Sequence, residues 1–218
     1  MELIQQNINE DFTDFHTHIL PAMDDGPKEA AVSVRMLCKL KEQGVSRVCL
    51  TPHYIHHREP VGDFINRRKE SFEKLLLEIK KQGKEENVPE LKLGAEVSLE
   101  NGLLEEEKLR ALCYENTDMI LLEMPFVTPD EQTFYLIENI ALKYKVRPVI
   151  AHLDRYVKFL NREKIGRILD IPDVIIQINS SATGFFGCRS FVKNLMKTGV
   201  PMVLGSDCHD EVRRPPKI

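Results

Sequence analysis

Short apolar runs that each end in His, Glu, Asp or Asn constrain this chain more than any other feature. Residues 12–15 run into His16-Thr17-His18, 48–50 lead to His53, and 91–95 lead to Glu96. Residues 119–122 lead to Glu123, 149–151 to His152, 174–178 to Asn179, and 202–205 to Asp207 and His209. Between these strand-like runs lie segments of helical period. Residues 29–43 place Val32, Met36, Leu37 and Leu40 on one face and stop at Gly44. Residues 63–82 carry Ile65, Phe72, Leu75, Leu76 and Ile79 ahead of Gly83, and stretches 104–113, 130–144, 162–169 and 190–198 complete the series. Strand and helix alternate throughout, which predicts an α/β fold of parallel strands joined by helical crossovers.

In such folds the loops at the C-terminal ends of the strands hold the active site. An open doubly wound sheet would normally show a Gly-rich phosphate loop after its first strand. Here the first run is followed by His-Thr-His-Ile-Leu-Pro, and neither a dinucleotide nor a P-loop fingerprint occurs. Polar ends spread over separate strands, not gathered at one switch point, favour a small closed or distorted barrel. The reading is one domain over residues 11–218, preceded by a flexible arm at 1–10.

Composition narrows the classes of function. A net charge of -4, with no local run of Lys or Arg, gives no basic surface for nucleic acid. No apolar stretch approaches the ~20 residues that span a bilayer, and the N-terminus has no signal-peptide pattern. Cys38, Cys49, Cys113, Cys188 and Cys208 are an odd number without a Cys-x-x-Cys pair, which reads as reduced thiols in a cytoplasm.

The chemistry lies in the strand ends. His16 and His18, two apart on a strand, point to one face and can reach one cation, and Asp207-x-His209 repeats the pattern. Glu96 and Glu123 end apolar runs, where an unpaired carboxylate is costly to bury; each calls for a basic partner or a metal. His53 and His152 alone would read as structural, and Asp24-Asp25-Gly26 divides evenly between a turn and a ligand. Taken together these residues predict a metal site. Phe126, Tyr156, Phe185 and Phe186 lie just past strand ends, where core packing and an aromatic rim are both open. His56 and His57 read as a solvated loop, and 105–107 as a solvated acidic face. The run 179–184 reads as a strand end and helix entry, with Asn179 unassigned.

His-x-His, Thr-Pro-His, Gly-Ala-Glu, Ala-His-Leu-Asp-Arg-Tyr and Ser-Asp-x-His, in this order, resemble the PHP (polymerase and histidinol phosphatase) superfamily. The segment from His16 to Gly26, with Glu123, His152 to Tyr156, and Arg213-Arg214-Pro215-Pro216, is most similar to its bacterial tyrosine-protein phosphatase branch of the CpsB/CapC, YwqE-like type. The resemblance covers the chain from Asp14 onward. It implies a distorted seven-stranded (β/α) barrel of PHP type with three metal ions, Mn foremost, with Fe or Zn as alternatives. Carried over by position, His16, His18, Glu96 and Asp207 would hold one metal. Glu96 would bridge to a second, completed by Glu123 and His152, while Asp25, His53 and His209 would take the third. Arg155 and Arg214 would clamp phosphate oxygens through forked hydrogen bonds, and Asp207 or His209 would assist the leaving group.

The implied substrate is a phosphotyrosine protein, the tail of a bacterial tyrosine kinase in capsule or exopolysaccharide regulation. A small-molecule phosphomonoesterase such as a histidinol-phosphate phosphatase shares the metal framework, and a catalytically silent metal-binding regulatory module is the alternative from another class. Cys208 and Arg214 match the Cys-x5-Arg spacing of cysteine-dependent phosphatases by coincidence. The intervening segment holds Asp210 and Glu211 and no Gly, so it lacks a phosphate-cradling backbone. The chain ends soon after His209, where the family continues through further helix, so the expectation is either a truncated C-terminus or a short variant with the barrel open on that side.

Overall fold

The computed structural model describes residues 12–183 and 186–218. The expected arm at 1–10 and Phe185 lie outside these residues, as does the side chain of Phe186. Among the described residues the strands are β1 (Phe12–Thr17), β2 (Val45–Leu50), β3 (His53–Tyr54), β4 (Glu90–Leu93), β5 (Glu96–Ser98), β6 (Met119–Glu123), β7 (Arg147–Ile150), β8 (Ile175–Asn179) and β9 (Met202–Gly205). The α-helices are α1 (Ala30–Glu42), α2 (Val61–Lys81), α3 (Glu131–Tyr144), α4 (Arg162–Leu169) and α5 (Phe186–Thr198). No helix among the described residues is long and apolar enough to cross a membrane.

All strand pairs within the sheets are parallel, as the helical crossovers require. They form a three-stranded sheet in the order β1-β2-β4 and a six-stranded sheet in the order β3-β5-β6-β7-β8-β9. The expected single ring of seven strands is therefore resolved as two sheets. Two of the expected strands are interrupted. Pro52, which has no N–H to give a ladder, separates β2 from β3. Gly94 and Ala95 separate β4 from β5, so the run predicted over 91–95 is split. Gly94 passes so close to its neighbours that a Cβ there would lie 3.1 Å from the Tyr114 ring and 3.2 Å from Thr51. The two sheets approach again where Thr17 forms a parallel bridge with Cys208 and the His18 N–H donates to the Cys208 carbonyl at 3.0 Å.

The helices follow the predicted periods with two exceptions, the first in α2, where Leu76 is 44% exposed and the buried face runs through Phe64, Arg68, Leu75 and Ile79. Residues 104–113 form two 3₁₀ turns, Asn101–Glu105 and Leu109–Leu112, in place of a helix. Leu109 and Leu112 are buried three residues apart, the period of a 3₁₀ turn, while Glu105, Glu106 and Glu107 set like charges side by side. The helix predicted over 190–198 begins earlier, at Phe186. The α3 start is fixed by a capping box: the Asp130 carboxylate accepts from the Thr133 N–H at 2.9 Å, and Thr133 answers at the Asp130 N–H.

Alternation along each strand separates two interiors. Ile120, Leu122, Ile150, Ile176 and Ile178 join the main core beneath α1–α4, with Leu37, Phe64, Leu75, Phe134 and Ile137. The opposite faces supply a smaller cluster of Cys49, Tyr114, Leu121, Val149, Ala151 and Ile175. One step of two residues further along that second face lie Glu123 after Leu121, and Gln177 and Asn179 after Ile175. The small cluster is thus an apolar floor under a polar set of strand ends.

The fit between β9 and β1 is tight at Gly205. A Cβ there would come 2.5 Å from His16 Cβ and 2.9 Å from Gln177 Nε2. Gly205→Ala is expected to lower stability by about 1–3 kcal/mol through this overpacking. Chemical denaturation of the metal-free protein checks this, and an unchanged midpoint would contradict the close approach.

Candidate metal centre

The centre is assembled by register. In the β3–β5 ladder His53 sits opposite Glu96, and in the β5–β6 ladder Ser98 sits opposite Glu123. Glu96 is the meeting point. Its Oε2 lies 3.2 Å from His16 Nε2, 3.1 Å from His18 Nε2 and 3.1 Å from His53 Nδ1, and its Oε1 lies 2.9 Å from His152 Nε2. His16 and His18 Nε2 are themselves 3.1 Å apart, with Asp207 Oδ1 at 3.8 and 3.6 Å. Glu123 reaches His152 Nε2 at 3.4 Å and His53 Nδ1 at 3.9 Å. On the open side Asp25 Oδ1 lies 3.2 Å from His209 Nε2 and 3.7 Å from His53 Nε2.

Among the described residues, donor atoms close enough to share a cation fall into three groups: His16, His18 and Asp207; His53, Glu96 and Glu123; and His18, Asp25, His53 and His209. His18 and His53 each stand in the group expected of them and in one more, because the two rings lie between neighbouring groups, with centroids 4.4 Å apart. His152 falls outside these three groups but touches Glu96 and Glu123.

Backbone and neighbouring side chains aim these donors. The His18 Nδ1–H donates to Asp24 Oδ2 at 2.7 Å, leaving Nε2 to face Glu96. The same Asp24 oxygen accepts the His53 N–H at 3.0 Å, and its partner accepts from Gly26 at 3.0 Å. Gly26 admits no side chain, since a Cβ would lie 2.1 Å from the His18 carbonyl oxygen. Gln177 Oε1 accepts the His152 N–H at 2.5 Å and meets His16 Nδ1 at 3.0 Å. Asn179 donates to Asp207 at 3.3 Å. His152 and Asp207 both hold left-handed backbone, with φ of 30° and 53°. Such conformations are uncommon for non-glycine residues and concentrate at functional sites.

The electrostatics favour positive charge in the middle. Burial alone would push the His18 imidazolium down, yet Asp24 and Glu96 raise it to about 10. His152 is likewise lifted against burial to about 9 by Glu123 and Glu96. Glu96 is held well below the carboxylate range, its burial outweighed by the surrounding histidines, and Asp207 falls to about 2 beside His16, His18 and Arg155. His209 moves the other way, pushed down by burial and by the charges of His18 and Arg214. Paired Nε2 atoms facing shared carboxylate oxygens, with imidazole and carboxylate but no thiolate, make a donor set that fits Mn, Fe or Zn.

Both arginines reach the centre. Arg155 donates to Asp207 Oδ2, and Arg214 Nη2 donates to Asp207 Oδ1 at 2.5 Å and Nη1 to His209 Nε2 at 2.8 Å. Each remains about one-third exposed, 32% and 35%. His56 and His57 instead engage Tyr54 and Glu100. Cys208 is fully buried in the main core, and that burial pushes its thiol up, against any role as a nucleophile. All five cysteines are free.

A family profile described as capsular polysaccharide synthesis, CpsB/CapC, matches residues 12–218. The chain belongs to this family. Among its relatives, the tyrosine-protein phosphatase CpsB of Streptococcus pneumoniae is 31% identical over 93% of this chain and 85% of its own length. The tyrosine-protein phosphatase YwqE of Bacillus subtilis is 29% identical over 90% of this chain and 77% of its own. A crystal structure from work on YwqE and CpsB, described there as unique metal-dependent tyrosine phosphatases, superposes with a TM-score of 0.73 at 25% identity, covering 94% of this chain and 82% of that one. HisK from Listeria monocytogenes shares the fold at 15% identity and a TM-score of 0.52, over 91% and 95% of the two chains.

Sequence reasoning missed the residues that hold the ligands in place: Asp24, Gln177 and the Asn179 contact to Asp207. Gln177 was visible as a single amide inside an otherwise apolar run, where its burial demands partners. Because Asp24 orients His18 and His53 together, Asp24→Ala is expected to weaken divalent-cation binding about 10–100-fold. Competition with a chromophoric chelator measures this; wild-type affinity would remove the orienting role.

Proposed function

We propose that the chain is a metal-dependent protein-tyrosine phosphatase, its residues 11–218 acting as one cytoplasmic domain with the two sheets as parts of a distorted seven-stranded barrel of PHP type. The observation that carries this reading is the convergence of imidazoles and carboxylates from separate strand ends on Glu96, with Arg155 and Arg214 beside them. Names of the relatives support phosphotyrosine as the substrate. The proposed partner is the phosphorylated tail of a bacterial tyrosine kinase in capsule or exopolysaccharide regulation.

Three metal ions are proposed, Mn foremost. His16, His18, Glu96 and Asp207 would hold one, and Glu96, Glu123 and His152 with His53 a second. Asp25, His53 and His209 with His18 would hold the third. Bound there, such ions lower the pKa of water, hold phosphoryl oxygens and offset charge in an in-line displacement.

The chain's own residues do the rest. Arg155 and Arg214 offer planar, permanently charged N–H donors to the outer oxygens of a phosphate dianion. Asp25, 63% exposed, marks the side open to substrate. Asp207 or His209 would assist the leaving group, and a phenolate, with a pKa of ~10, needs less protonic help than an alkoxide.

Phosphate release from a phosphotyrosine peptide and from histidinol phosphate, measured side by side, tests the reading. The peptide is expected to be preferred, chelation to abolish turnover, added Mn to restore it, and iodoacetamide to leave it intact. Glu96→Gln and His18→Ala are each expected to reduce kcat/KM by about a hundredfold or more. Preference for histidinol phosphate would overturn the substrate, and unchanged turnover in either variant would sink the metal mechanism.

A further inference from the structure

Phe126 lies in the loop that leaves β6 immediately after Glu123, and half of its surface, 50%, is exposed. Its ring stacks on Tyr156, with centroids 5.0 Å apart and planes 7° from parallel. It also stacks on the candidate ligand His152, at 5.7 Å and 17°. The rings of His152 and Tyr156 are themselves 5.8 Å apart and 15° from parallel. Tyr156 is fully buried and His152 nearly so, which makes Phe126 the solvent-facing member of a near-parallel aromatic group.

The loop is built to hold it there. The Tyr156 hydroxyl donates to the Met124 carbonyl, and the Val127 N–H donates to the Pro125 carbonyl at 2.7 Å, so the backbone is fixed on both sides of Phe126. A cleft of about 400 Å³ begins at Pro125 and Val127 and is lined also by Leu99, Glu100 and Thr133. A phenyl ring left half in water forgoes part of its burial energy, and this one does so next to an imidazole that touches Glu96 and Glu123.

We propose that Phe126 is a specificity-determining residue, a stacking platform for the aromatic ring of an aryl phosphate monoester. This rests on the phosphatase reading above. A tyrosyl ring attached to a phosphate at the centre would extend the stack in the offset geometry aromatic pairs prefer, with centroids within about 4.5–7 Å. An alkyl phosphate offers no π-face to this platform.

The test uses the Mn-loaded protein and compares Phe126→Ala, Phe126→Trp and, as a control, Leu142→Ala at an exposed apolar position of α3. For a phosphotyrosine peptide, Phe126→Ala is expected to raise KM about fivefold with kcat changed by less than about twofold, since stacking present in both ground and transition states is uniform binding. Phe126→Trp is expected to stay near wild type, and the preference for phenyl phosphate over hexyl phosphate to fall about fivefold in Phe126→Ala alone. An unchanged KM, an equal loss on both monoesters, a Trp variant as impaired as Ala, or a loss that tracks metal content would each overturn the proposal. A wild-type protein inactive on the peptide would instead defeat the phosphatase reading itself.

Discussion

Glu96 lies almost wholly out of water, with both carboxylate oxygens facing imidazole nitrogens from four different histidines. An isolated carboxylate in that position would cost many kcal/mol, so the strand that carries it is tied to the ends of its neighbours. His16 and His18 come from the end of β1, His53 from β3 and His152 from the turn after β7. Each is useful only if its strand stops at the right height. The breaks at Pro52 and Gly94 interrupt both chains at the same level and leave the register unchanged, so Leu50 opposite Leu93 is followed by His53 directly opposite Glu96.

The same demand explains two of the left-handed non-glycine residues, His152 and Asp207, while Ala22, Asn116, Lys145 and Asp173 take that conformation elsewhere in the chain. His152 and Asp207 adopt left-handed conformations at the points where the chain leaves or passes β7 and β9. A residue continuing the strand would send its side chain by alternation to one face or the other. The left-handed turn redirects it. Gln177 then holds the His152 N–H, and the His16 carbonyl accepts the Asp207 N–H at 2.7 Å, so neither strained donor relies on its own strand for support. Gly205 lets β9 approach β1 closely enough for that exchange.

Much of this was legible because two periodicities carry it. The spans of α1, α2, α3 and α4, the buried face of α1, and the strand ends bearing His16, Glu96, Glu123 and His152 follow from spacing alone, whereas the α2 face turns Leu76 to solvent and buries Phe64 and Arg68 instead. The segment 104–113 did not, because Leu109 and Leu112 satisfy a helix and a 3₁₀ turn equally well in sequence. Nor did the division of donors among cations. His18 and His53 lie between groups, and only three-dimensional distances distinguish a ligand of one ion from a ligand of the next. Asp24 was hidden for another reason: in Asp24-Asp25-Gly26 the two carboxylates are chemically identical. One points into the fold to orient His18 and His53, while the other stays largely in solvent. Nothing in sequence order assigns those roles.

The charged centre and the loop that follows β6 are held in different ways. The donors sit on strand ends whose geometry is fixed by ladders, by buried hydrogen bonds and by the apolar floor of Leu121, Val149 and Ile175. Moving any of them would leave a buried charge without its partner, which is costly. The loop from Met124 to Pro129 carries no such burden. It is anchored by the Tyr156 hydroxyl, by Lys164 at the Pro129 carbonyl, and by the cap of α3 that follows it. Between those anchors Phe126 and Val127 face solvent, at 50% and 59% exposure. Substitution there would alter what lies beside the phosphoryl position without changing the charge balance around Glu96. On the proposal that Phe126 stacks the leaving group, this separation of the charged centre from a half-exposed loop would let leaving-group preference change independently of metal chemistry.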